Sequence, residues 1–415
     1  MGIHLAGRLN RFSPAVHLAN GDAPSAAGPA APPWRAPLAQ ALERLPAERR
    51  RALRSWQPLT DGRLAARGQK PLQDLASNDY LGLASHPALQ QAAATAMAQE
   101  GVGAGASRLV SGSRPVHGAL ETALATWIGR ERVLLFPSGF QANLAAVQAL
   151  ADRHSLVLAD RLIHHSLLVG VQVSGAQLQR FRHNDLADLE RRLLAARRAS
   201  PSRRLLVISE SLFSMEGTSP DVAALADLCA RHGAALLLDE AHALGVLGPG
   251  GRGLGHGQAN ISLISGTFGK AFGSGGAFLA GDGLVGEWLL QHSGPFRYTT
   301  ALAPPLAAAA LAALKLMQEH PQQGAQLLER AQRWRERLTA AGWPRPAGFG
   351  PILPLLVGDD GRALGLQAQL EQAGWLTAAI RPPTVPNGSA RLRLVLRQNL
   401  PAGSLMPLLE ALGTP

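Results

Sequence analysis

From about residue 76 to residue 300 the chain alternates short apolar runs with longer stretches whose apolar residues recur every three to four positions. The runs are RVLLF (132–136), SLVLAD (155–160), RLLVISE (204–210), AALLLD (234–239), ISLIS (261–265) and GAFLAG (276–281). Continuous apolar runs of this length suit strands buried on both faces, and the helical stretches between them supply the covering layers. The pattern predicts an α/β fold: a large domain (76–303) with a mostly parallel sheet between helices, where ligands sit at the carboxyl ends of the strands. After Pro304-Pro305 the texture changes to long helical patterns, then to strand-like PILPLLVG, WLTAAI and ARLRLVL, with a last helix from Ala402. This predicts a smaller α+β domain over 304–415. Ahead of the large domain, LAQALERLPAERRRALRSW predicts a helical segment within 38–75, interrupted at Pro46 and with Arg54 near its end. Residues 1–37 carry an Ala-, Pro- and Gly-rich stretch with no apolar period and are expected to form a disordered extension.

Composition narrows the class. With 415 residues, 46% of them hydrophobic, the chain can bury the core of an enzyme-sized protein. No stretch approaches the roughly 20 apolar residues of a membrane span, and the first residues lack the apolar region of a secretory signal, so a cytoplasmic location is expected. The single cysteine, Cys229, lies in the helical pattern DVAALADLCARHG and reads as a buried small hydrophobe. The formal charge of +11 comes from scattered arginines rather than a basic stripe interleaved with aromatics, which argues against a nucleic-acid-binding protein. Only Lys70, Lys270 and Lys315 are lysines.

Lys270 lies in Ser265-Gly-Thr-Phe-Gly-Lys270-Ala-Phe-Gly-Ser-Gly-Gly276. A lysine among small residues loses its charge where water is excluded, and a neutral amine can attack an aldehyde. The glycines let the backbone approach a bulky ligand, and Ser265 and Thr267 offer hydroxyls to a phosphate. Alone, the segment also reads as a nucleotide-binding loop, although no Walker spacing is present. Asp239, in Leu-Leu-Asp239-Glu-Ala-His242, ends an apolar run where a carboxylate can keep a pyridine nitrogen protonated, with His242 in position to hydrogen-bond a phenolic ring oxygen. In Phe136-Pro-Ser-Gly139-Phe140-Gln-Ala-Asn143 a strand turns into a helix, whose free amides and dipole suit an anion. Asp160-Arg-Leu-Ile-His164-His165-Ser166 offers an imidazole to stack on a planar ring, and Glu210-Ser-Leu-Phe-Ser214 offers a hydroxyl. Each segment has a bland reading as a cap or a surface residue. Their concurrence at successive strand ends, in the order anion site, stacking histidine, hydroxyl, carboxylate and lysine, points to pyridoxal phosphate held as a Schiff base on Lys270.

These segments, with SNDYLGL (77–83) and GASRLVSGS (105–113), resemble the α-oxoamine synthases among the fold-type I pyridoxal-phosphate enzymes, from about residue 38 to the C-terminus. The resemblance implies a fold-type I, aminotransferase-like α/β architecture with a seven-stranded type of sheet. It implies that Lys270 anchors the cofactor and acts as acid and base, and that Asp239 pairs with the ring nitrogen. Ser214 and His242 would contact the ring oxygen side, and His164 would stack on the ring, with His165 its competitor. Gly139, Phe140 and Thr267 would hold the cofactor near its phosphate, and Thr299 or Thr300 would reach across a homodimer to the other subunit's phosphate. Ala379-Ile-Arg381-Pro-Pro-Thr384-Val-Pro resembles the branch that joins L-alanine to a pimeloyl thioester, carried on coenzyme A or an acyl carrier protein; Arg54, Arg381 and Thr384 would then contact substrate. No metal is expected.

Overall fold

The structure, a computed structural model, describes residues 32–415, so the expected extension up to residue 31 lies outside the described residues. The chain divides into two compact units at Arg50. In the first, a helix spans Arg35–Glu43 and a single 3-10 turn spans Ala47–Arg49, with Arg50 Nη2 donating to the Leu42 carbonyl at 3.0 Å. The helix expected to continue towards Trp56 ends early, because Pro46 lacks an N–H and disfavours a helical residue before it. Arg54 therefore sits in an irregular segment, in the second unit, and not near a helix end.

The second unit begins with three short strands, β1 (Gln57–Pro58), β2 (Arg63–Ala65) and β3 (Leu72–Asp74), where a helical segment was expected. Strands of two or three residues are too short for their apolar alternation to register in the sequence. Then follow β4 (Arg132–Phe136), β5 (Leu156–Asp160), β6 (Gln177–Phe181), β7 (Leu205–Glu210), β8 (Ala235–Asp239), β9 (Leu263–Thr267) and β10 (Ala277–Gly281). They form one sheet in the order β4-β10-β9-β8-β7-β5-β6, parallel except that β10 runs against both its neighbours. Ala277 pairs with Phe136 on one side and Thr267 on the other, so β4 and β9 end at the same sheet edge, beside the start of β10.

Side-chain alternation divides the core between the two faces of the sheet. Leu236 and Leu238 pack in one cluster with Leu225, Leu193 and Leu314, while Leu237 packs in the other with Val147, Leu167 and Leu289. A strand apolar at every position is thus buried on both sides, as the runs predicted. Downstream, β11 (Ile352–Gly358), β12 (Trp375–Leu376), β13 (Ala378–Ile380) and β14 (Ala390–Val395) follow two long helices, Pro304–Glu319 and Gln323–Ala340. Strands β11, β14 and β13 form an antiparallel sheet, whereas β12 pairs in parallel with β3, so the WLTAAI run serves two sheets and breaks at Thr377. Helix Pro304–Glu319 packs against helices Pro87–Glu100 and Pro115–Ile128. Among the described residues no helix is long and apolar enough to cross a membrane.

Candidate active site

The carboxyl ends of β4, β5, β7, β8 and β9 carry or directly precede the residues singled out from the sequence. Lys270, three residues beyond β9, is half-buried, and burial lowers its amine to a pKa of about 8, helped by Arg393 and opposed by the Asp239 and Glu210 carboxylates. Asp239 ends β8 with 5% of its surface exposed. Its Oδ1 accepts from Ala241 N at 2.9 Å and its Oδ2 from Asn143 Nδ2 at 2.8 Å, which fixes the carboxylate plane. Glu210, at the end of β7, is buried and accepts from His164 N at 2.5 Å. Its pKa is pushed well up, first by burial and then by the charge of Asp239.

Two histidines are held by hydroxyls. His242 is buried, and its Nδ1 lies 2.6 Å from the hydroxyl of Tyr80, whose side chain is wholly enclosed. Burial pushes the Tyr80 hydroxyl's pKa up and that of His242 well down, so the pair is a phenol and a neutral imidazole. A phenol is the stronger donor of the two, so Tyr80 is assigned as donor to Nδ1, which leaves the His242 proton on Nε2. His164 caps helix His165–Ser174, with its Nδ1 2.7 Å from Ser166 Oγ. Crowding around the ring lowers its pKa, with Lys270 and His165 acting in the same direction and Asp239 against them. Both histidines are exposed, and of the two it is His164 that is tied into the network, through Ser166.

Helix Gly139–Leu150 starts at the end of β4, where Ser138 Oγ takes Gln141 N at 3.3 Å and Ser138 O takes Ala142 N at 3.0 Å. Among the described residues this leaves the amides of Gly139 and Phe140 as unclaimed donors, beside Thr267: a Cβ built on Gly139 would lie 3.7 Å from Thr267 Oγ1. Thr267 Oγ1 donates to Gly276 O at 3.0 Å and accepts from Gly269 N at 3.2 Å. Ser265 does not serve as a phosphate hydroxyl. It lies within β9, 2% exposed, and donates to Asn143 Oδ1 at 2.6 Å. Ser214 is half-buried in the loop after β7, where its carbonyl accepts from Arg393 Nη1 at 3.2 Å, while Arg393 Nη2 reaches Asn78 Oδ1 at 3.1 Å.

Of the other residues expected to contact substrate, Arg54 and Thr384 are exposed and Arg381 is half-buried. Arg54 grips Glu371 with both terminal nitrogens, one of them at 2.9 Å, and lies over the Trp56 ring at 4.5 Å. Thr384 N donates to Arg381 O at 3.1 Å, and it is Arg51, not Arg54, that reaches the Thr384 hydroxyl, at 3.2 Å. Thr300 is exposed and Thr299 half-buried, next to Tyr298 at 80% exposure. The roles that Tyr80, Asn143, Ser166, Glu210 and Arg393 play here went unread in the sequence, although each stands within a quoted motif.

Residues 70–412 match the class I and II aminotransferase family. The 8-amino-7-oxononanoate synthase of Chromohalobacter salexigens is 44% identical over 92% of this chain and 97% of its own. The chain belongs to the 8-amino-7-oxononanoate synthases. A putative member from Bordetella bronchiseptica is 46% identical over 91% of the chain and 94% of its own length. Among solved structures, a Francisella tularensis synthase of the same name superposes with a TM-score of 0.70 at 27% identity, covering 82% of this chain and 96% of that one. A Sphingomonas wittichii serine palmitoyltransferase reaches 0.84 at 27% identity, covering 91% and 95%. The family assignment makes this a pyridoxal-phosphate-dependent enzyme of the aminotransferase-like fold, as the motifs implied. The donor set fits that cofactor: an amine of lowered pKa, a carboxylate at a strand end, a neutral histidine with Nε2–H, and a helix start with unclaimed amides.

Proposed function

We propose that this enzyme joins L-alanine to a pimeloyl thioester to give 8-amino-7-oxononanoate for biotin synthesis. A bond forms between the alanine α-carbon and the thioester carbonyl carbon; the carbon–sulfur bond breaks and the thiol carrier leaves; the alanine carboxylate departs as carbon dioxide and a proton takes its place. Besides family membership, one observation carries the reading: the ends of β8 and β9 and the start of helix Gly139–Leu150 bring Asp239, the Lys270 segment and two unclaimed amides to one end of the sheet.

When bound, pyridoxal phosphate supplies the electron sink that makes the α-proton of an amino acid acidic. Lys270 is assigned the covalent hold on that group, and its Nζ, once free and neutral, takes the α-proton and later returns one. Asp239, held flat by Ala241 and Asn143, would keep a proton on the ring nitrogen. With the cofactor bound, His242 would donate through Nε2–H to the ring oxygen beside Ser214, and His164 would stack on the ring. The Gly139 and Phe140 amides would take the phosphate, together with Thr267 once its hydroxyl turns from Gly276 O, and in a homodimer Thr299 or Thr300 of the partner subunit would join them; the exposed Tyr298 segment supports such an interface. Arg54, Arg381 and Thr384 bind substrate carboxylate and chain, which requires Arg54 to exchange Glu371 for the ligand. The reading includes a cytoplasmic setting, supported by the biosynthetic role of the relatives.

Product analysis by mass spectrometry, with alanine, glycine and serine offered side by side with a pimeloyl thioester, tests the substrate assignment. The expected product is the alanine adduct; a preference for glycine or serine would overturn it.

A further inference from the structure

Buried behind the site, Asn143 ties together groups that the sequence keeps far apart. It stands on helix Gly139–Leu150, 3% exposed. Its Nδ2 lies 2.8 Å from Asp239 Oδ2 and 2.9 Å from Ser166 Oγ, and its Oδ1 lies 2.6 Å from Ser265 Oγ. An ionised carboxylate only accepts hydrogen bonds, so the amide must turn its NH₂ to Asp239; the flipped amide would set oxygen against oxygen. The second N–H then points at Ser166 Oγ, which makes that hydroxyl an acceptor here and leaves its hydrogen for the remaining neighbour. That neighbour is His164 Nδ1, at 2.7 Å. The backbone N–H of Ser166 also points at Nδ1, from 3.3 Å. A ring nitrogen faced by two donors must offer its lone pair.

We propose that Asn143 is a positioning residue that, through Ser166, holds His164 as the neutral Nε2–H tautomer, so that this ring presents a hydrogen-bond donor and not a base. The charged and titratable groups around the ring are Asp239, Lys270, His165 and His242, with Glu210 on its backbone N–H. Burial first, and then Lys270 and His165, already lower its pKa, in the direction that the lock requires. What the lock does in catalysis rests on the functional reading above: with His164 unable to accept a proton at Nε2, proton transfer falls to Lys270 alone. The tautomer itself rests on the hydrogen-bond geometry.

The test is long-range ¹H–¹⁵N correlation on the full-length protein loaded with pyridoxal phosphate and labelled with ¹⁵N-histidine, the His164 signals being assigned by their loss in His164→Asn. The expected wild-type pattern is an unprotonated Nδ1 and a protonated Nε2. In Asn143→Ala and in Ser166→Ala the expected pattern is a mixture of tautomers, with the titration midpoint of His164 moved upward. A protonated Nδ1 in the wild type, or the wild-type pattern retained in both variants, would overturn the proposal. Ser166→Ala removes a single hydroxyl, and the wild-type spectrum decides the tautomer without any variant. If the expected pattern appears but alanine and pimeloyl thioester are not turned over, the functional reading fails and the lock stands.

Discussion

At the residue scale, the chemistry depends on a lysine that is neutral at a useful pH. Burial favours the uncharged amine of Lys270, while Asp239 and Glu210 limit the fall to about 8. Only the neutral amine attacks an aldehyde, so cofactor uptake by the apoprotein, followed as visible absorbance after mixing, is expected to speed up as pH rises through about 8. A rate unchanged across that range would contradict the assignment. The hydroxyl of Tyr80 has a comparably narrow task. Tyr80→Phe leaves His242 Nδ1 buried without its donor, which costs roughly 1–3 kcal/mol and releases the tautomer. The expected result is a lowered unfolding midpoint together with a shifted absorption band of the bound cofactor. A pure stability loss with an unchanged spectrum would make Tyr80 structural only.

At the element scale, the loop after β8 is clamped by a carboxylate. Glu240, buried beside Asp239, accepts from Ser211 Oγ at 2.5 Å, Gly255 N at 2.7 Å and Leu254 N at 3.1 Å. Gly253 passes so close that an added Cβ would lie 1.8 Å from Glu240 Oε2, with φ at +88°. Gly253→Ala should therefore destabilise by about 2–4 kcal/mol, measured by denaturant unfolding, and weaken cofactor retention. Strands β4, β5, β7, β8 and β10 were legible because each is mostly apolar, as burial on both faces demands, whereas β9, Leu263-Ile-Ser-Gly-Thr267, was reached only through the apolar run that overlaps its start. By contrast β6, with the sequence Gln177-Leu-Gln-Arg-Phe181, lies at the sheet edge, where polar residues are tolerated and the apolar signal fades. Strand ends revealed Lys270, Asp239 and Gly139 for the same reason: chain order in a parallel sheet sets which loops share an edge. The pairs Tyr80 with His242 and Asn143 with Asp239 were not legible, since 162 and 96 residues separate their members and only packing brings them together.

At the scale of the whole molecule, the buried acids shape the response to pH. Burial raises Glu240 to about 7 from its ordinary 4.5, so between those values the folded state holds a proton that the unfolded chain releases. Stability from this group is fully present below about 4.5 and lost as pH rises through 7, and the denaturation midpoint should fall along that range. Glu240→Gln should flatten the slope; an equally steep fall in that variant would assign it to other groups. The proposed homodimer, with its shared site, makes a second prediction. Lys270→Ala and Thr300→Ala proteins, each weak alone, should regain activity when unfolded together and refolded, because a mixed dimer rebuilds one intact site; no recovery would place Thr300 outside the partner's site. Nearest to the central claim is turnover of L-alanine with a pimeloyl thioester by the wild type and by Lys270→Ala, both purified and supplied with pyridoxal phosphate. General acid–base catalysis alone is worth about 10²–10⁴-fold, and Lys270 is assigned the covalent hold as well. The expected result is 8-amino-7-oxononanoate and carbon dioxide from the wild type and at least that loss in the variant; a variant as fast as the wild type would contradict the account.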